Sequence, residues 1–90
     1  MKSKLDIIYL NIFVKVLKIS KKIQKRLLED KEDIGLNNFQ NWDSMQHVKI
    51  LINISEKFKI KVNTKNSNKF NSYQSGIKYL RKTKNLYNQT

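Results

Sequence analysis

Asp43-Ser44-Met45-Gln46-His47-Val48-Lys49-Ile50-Leu51-Ile52-Asn53-Ile54-Ser55-Glu56-Lys57-Phe58 is the stretch on which the fold turns. Asp43 is a good helix N-cap, because its carboxylate can accept a first-turn amide, and Ser44 opens the helix behind it. Met45, Val48, Leu51, Ile52 and Ser55 recur at helical spacing and mark one stripe, closed by Phe58. Ile50 and Ile54 broaden that stripe, so the spacing predicts the most buried helix of the chain. Lys57 and Lys59 near its end complement the helix dipole.

Upstream, Leu5, Ile8, Ile12 and Val16 predict a helix over about 4–18 with one apolar face. Residues 19–42 mix Ile23, Leu27, Leu28, Ile34, Leu36 and Phe39 with charged positions. They read as a long ordered loop with a helical turn or two over 22–29, and a long structured loop in a small domain usually serves function. Downstream, Ile60 and Val62 alternate with Lys59, Lys61 and Asn63, giving a short extended segment pinned to the core. The Asn/Lys-rich run 63–71 reads as a loop. Ser72 caps a last helix that turns Tyr73, Ile77, Leu80 and Tyr79 inward, and residues 83–90 are expected to fray. The expected architecture is all-α: a small bundle of three to four helices with a long first loop, one domain over 1–90 with its core at about 5–82.

Composition narrows the class. Apolar residues make up 39% of 90, enough for a modest core, and no proline with only two glycines favours helices over hairpins. The absence of cysteine fits a cytoplasmic chain and means that any thiol chemistry comes from a cofactor. The N-terminal Leu5–Phe13 run is broken by Asp6 and Asn11 and lacks a small-residue cleavage site, so it is not read as a signal peptide. No stretch approaches the roughly 20 apolar residues that span a bilayer, and a soluble chain is expected.

The formal charge is +12, which points first to nucleic acid or an anionic surface. Only Arg26 and Arg81 among the cations are arginines, and heavy use of lysine, asparagine and isoleucine is what an AT-rich genome produces. Aromatic residues are not interleaved with the lysines in a base-stacking pattern. Nucleic acid is therefore disfavoured. A hydrolytic enzyme is disfavoured too, since His47 is the only histidine and no carboxylate pair is organised beside a nucleophile. No catalytic residue and no metal ligand are assigned. His47 reads as a polar helix-face residue, Trp42 as packing that closes the loop, and Phe13, Phe39 and Phe58 as core.

Trp42-Asp43-Ser44-Met45, with Val48 three residues on and Glu56, Phe58, Ile60 and Val62 in register, resembles the acyl carrier protein family and its peptidyl and aryl relatives. Phe70-Asn71-Ser72-Tyr73 through Ile77, Tyr79 and Leu80 is similar to that family's last helix and its lead-in. The resemblance covers about 5–82 and is strongest over 42–62. It implies an acyl-carrier-like bundle and a monomer in which Ser44 is joined through a phosphodiester to 4′-phosphopantetheine donated by coenzyme A. Asp43 would then cap the helix and position Ser44, and Met45, Val48, Lys49 and Glu56 would touch partners. Those partners would be a phosphopantetheinyl transferase, a ligase or synthase that loads acyl or aminoacyl cargo, and a downstream transferase. The tetrapeptide looks like that of free-standing carriers in secondary-metabolite, polysaccharide or lipid biosynthesis. The alternative is an unmodified chain of the same fold that binds nucleic acid or anionic surfaces.

The chain departs from that family in charge. Lys49, Ser55 and Lys57 stand where glutamates are common, leaving Glu56 alone of an acidic face. Asn41 replaces a common glycine. Gly76 replaces a bulky aliphatic and should weaken the last helix by about 1 kcal/mol in propensity.

Overall fold

A computed structural model describes residues 4–88, with side chains as far as residue 83. Among the described residues four helices form a small all-α bundle: α1 Lys4–Leu17, α2 Lys21–Leu28, α3 Ser44–Phe58 and α4 Tyr73–Asn88. A 3-10 turn, Ser67–Phe70, precedes α4. Among the described residues no helix is long and apolar enough to cross a membrane.

α1 ends where Lys18 enters the left-handed region (φ 59°) and its amide closes on the Val14 carbonyl at 2.9 Å. Its buried face is Tyr9, Leu10, Ile12, Phe13 and Leu17, not the expected Leu5-Ile8-Ile12-Val16 line, whose other members are half-buried. Tyr9 and Phe13 have the most apolar area to remove from water, and they set the rotation of the helix.

What was expected as mostly loop contains a full helix. Ser20 caps α2, its hydroxyl accepting the Ile23 amide at 3.4 Å, and Leu27 is buried. The remaining loop, 29–43, is pinned to the start of α4. Asp33 Oδ1 accepts the amides of Ile34 (2.9 Å) and Gln74 (2.8 Å), and Gly35 and Ser72 form an isolated antiparallel bridge. Gln74 returns its side-chain amide to the carbonyls of Leu27 (3.1 Å) and Glu32 (2.9 Å). These bonds satisfy loop backbone that would otherwise be costly to bury.

The α3 stripe is also rotated from expectation. Ile50 and Ile54 are fully buried, with His47 and Phe58 above and below them, whereas Met45, Val48 and Ile52 face solvent. Ile60 and Val62 are half-buried around an exposed Lys61, as their alternation implied. Ser72 caps α4 as expected, accepting the Ser75 amide at 3.2 Å, but the helix runs on to Asn88, beyond the expected end near 82.

At the centre, Tyr9, Phe13, Trp42 and Tyr73 pack ring against ring with centroids 4.8 to 5.3 Å apart. Phe58 joins this core, while Phe39 is only half-buried. α1 and α4 are clamped at one end by an ion pair, Arg81 Nε and Nη2 to the buried Asp6 Oδ1 at 3.2 and 2.5 Å. The arginine is partly exposed, so the full cost of breaking a buried pair is discounted. Arg81→Met is expected to lower stability by about 1–2 kcal/mol in urea unfolding. An unchanged midpoint would show that the pair holds nothing.

Candidate functional site

The expected site residues fall at the N-terminus of α3. Asp43 takes an extended conformation, and its Oδ1 accepts the Gln46 amide at 3.0 Å while its carbonyl accepts the His47 amide at 2.9 Å. Ser44 is therefore the first helical residue. Its side chain and that of Asp43 are exposed. The first-turn amides of Ser44 and Met45 have no helical carbonyl behind them, and the dipole adds partial positive charge at this end.

Met45 (68% exposed), Val48 (54%) and Ile52 (53%) run down α3 from beside Ser44 as an uncovered apolar line. Lys49 and Glu56 are exposed as well. The four residues expected to touch partners are thus all accessible. They do not form one cluster: Lys49 lines a groove toward α1, while Glu56 lines another toward residues 62–67.

His47 corrects the sequence reading. It is buried, and its Nδ1 accepts the indole Nε1–H of Trp42 at 3.0 Å, with Trp42 itself 1% exposed. A neutral imidazole that accepts at Nδ1 carries its proton on Nε2. Burial pushes the His47 pKa below its ordinary value, which keeps the acceptor form. With Nδ1 committed to Trp42, that nitrogen is not offered to Ser44 as a base. Ser44 is placed as an accessible hydroxyl beside an anion-favouring helix end. Trp42 also ties the loop to the helix start, donating its amide to Phe39 O (3.0 Å) and accepting from Asn37 N (2.9 Å).

The buried role of His47 had one signal in the sequence. It stands three residues before Ile50, on the same line as Ile54 and Phe58. Asn41, two residues before Asp43, has φ 75°, the left-handed region that glycine and asparagine both tolerate. Compared with protein-family models, curated proteins and solved structures, the chain matches none.

Proposed function

We propose that this chain is a stand-alone carrier protein, tethering acyl or aminoacyl intermediates through a 4′-phosphopantetheine arm on Ser44. The observation that carries the reading is an exposed serine hydroxyl on the first residue of a 15-residue helix, directly behind an aspartate that caps it. The residues present fit a phosphodiester. Free first-turn amides and the helix dipole favour an anion at Ser44, and Lys18 and Lys49 line a groove with Gln46 of that same turn. Asn41 supports the reading too, because the left-handed backbone at this position explains why a glycine would otherwise stand there.

Bound at Ser44, the group would supply the thiol that this cysteine-free chain lacks and hold cargo as a thioester. The chain's own residues do the rest. Asp43 fixes the start of α3 and so the direction of the Ser44 side chain. The Trp42–His47 bond holds the preceding loop against the helix and keeps the serine clear of the core. Tethering raises the local concentration of the cargo at each successive enzyme. The implied partners are a phosphopantetheinyl transferase, a loading ligase or synthase, and a transferase that consumes the cargo, in a lipid or secondary-metabolite pathway of the cytoplasm.

The test is intact-protein mass after incubation with coenzyme A and a broad-specificity phosphopantetheinyl transferase. Gain of one phosphopantetheine unit by the wild type and none by Ser44→Ala is expected. No gain with several transferases, on protein shown to be folded, would overturn the carrier reading.

A further inference from the structure

Two shallow cavities between α1 and α3 share Lys15 and Asn53 and run end to end as one groove, about 470 and 320 Å³ in volume. Val16 and Lys18 lie with Gln46 and Lys49 in one stretch, and Ile8 and Asn11 lie with Lys57 in the other, so the two helices are antiparallel walls. On α3 the lining positions 46, 49, 53 and 57 recur at three and four, the spacing of one helix face. From Gln46 to Lys57 the wall is about 16 Å long at 1.5 Å per residue, or three helical turns.

The chemistry of the groove is uniform. Its floor is apolar, made by Ile8, Ile12 and Val16, with the exposed Ile52 at its edge. Lys15, Lys18, Lys49 and Lys57 rim it, and among the described residues no carboxylate lines either stretch. Of the seven acids, Glu29 and Glu32 pair with Lys31 and Arg26, Asp33 binds the start of α4, Asp6 holds Arg81, Asp43 caps α3, and Glu56 lines the neighbouring groove toward residues 62–67. The exposed line of Met45, Val48 and Ile52 continues the apolar floor onto the outer face of α3.

We infer that this groove is a docking surface for an acidic amphipathic helix of a partner protein, apolar on one face and flanked by glutamates or aspartates. The length suits about three turns of helix. The apolar floor needs leucine-like side chains, and a rim of four lysines needs carboxylates. A second copy of the chain is a poor occupant, because +12 meets +12. A bilayer is a poorer one, because insertion needs an apolar face that protrudes, whereas Ile12 is buried and Ile8 and Val16 are half-buried among the lysines of the groove. The inference goes beyond the carrier reading and stands on the unmodified chain.

The probe is a synthetic helix with leucines on one face and glutamates beside them, labelled for fluorescence anisotropy. A glutamate-to-lysine version and a scrambled version of equal composition are controls. The helix is expected to bind at least about tenfold more tightly than either control, and to weaken severalfold from about 0.05 to 0.5 M salt. Amide NMR shifts should concentrate on the groove residues, and the exposed double change Lys15→Glu with Lys49→Glu should cost at least about tenfold. Equal binding of the scrambled peptide, or shifts centred elsewhere, would overturn the inference. So would capture of the same residues by anionic lipid vesicles or by a single-stranded oligonucleotide in preference to the peptide. A chain that binds the helix yet gains no mass from coenzyme A overturns only the carrier reading, and the reverse pair of results overturns only the groove.

Discussion

Gly76→Ala is expected to destabilise the protein by about 2 kcal/mol or more, against the usual gain of about 1 kcal/mol for alanine inside a helix. A β-carbon at this position would collide with the hydroxyl of Tyr9 and lie 2.8 Å from Phe70 Cδ1. Both rings are fully buried, so neither can swing into solvent. The Tyr9 hydroxyl is also fixed chemically, since it donates to the Tyr73 carbonyl at 2.8 Å one helical turn before Gly76. Moving it would break a buried hydrogen bond, which costs about 1–3 kcal/mol in itself. A double-mutant cycle isolates the cause. In the Tyr9→Phe background the alanine meets no hydroxyl, and its cost should fall by about 1 kcal/mol while the Phe70 contact keeps it above zero. Urea unfolding followed by circular dichroism measures each corner of the cycle. A Gly76→Ala protein as stable as wild type would mean that α4 need not approach α1 so closely.

The Trp42–His47 pair carries the second large effect. Trp42→Ala should cost about 4 kcal/mol, because it empties a large core position and orphans the His47 acceptor. Trp42→Phe keeps most of the volume and should cost about half of that. The pair also predicts acid sensitivity. Burial lowers the His47 pKa in the folded chain, so between that value and the unfolded value of about 6.5 the unfolded state binds more protons. Stability is therefore fully present above the unfolded pKa and falls as pH drops through the folded one. His47→Asn, whose amide can still accept the indole proton but does not titrate, should flatten the dependence between pH of about 7 and 5. A wild type and variant with parallel pH profiles over that window would remove His47 from the account.

The elements were legible where a cap and an apolar repeat coincide. Asp43 before the 44–58 run and Ser72 before Tyr73 placed α3 and α4. α2 was read short because lysines dilute its apolar positions, although Ser20, three residues ahead of Ile23, was the cap to notice. Helix faces were less legible than helix positions. In both α1 and α3 nearly every side of the helix holds aliphatics, and hydrophobicity alone does not choose among them. Side-chain size chose in α1, through Tyr9 and Phe13. In α3 a hydrogen bond chose, because the indole proton makes His47 as buriable as an apolar residue. Gly76 was read as a weakness of α4, but it is what lets the helix lie against Tyr9, and that contact is made by a residue 67 positions away. Ser44 and its cap could be found locally. The lysine-rimmed groove could not, since half of its wall comes from another helix.

Trp42 is the only indole in the chain. It sits in the dark interior within hydrogen-bonding reach of a residue three positions after Ser44. The molecule thus has an intrinsic fluorophore at the base of its candidate attachment helix. Emission should be blue-shifted while the loop stays closed. A red shift during encounter with a partner would report, without any label, that the first turn of α3 had opened.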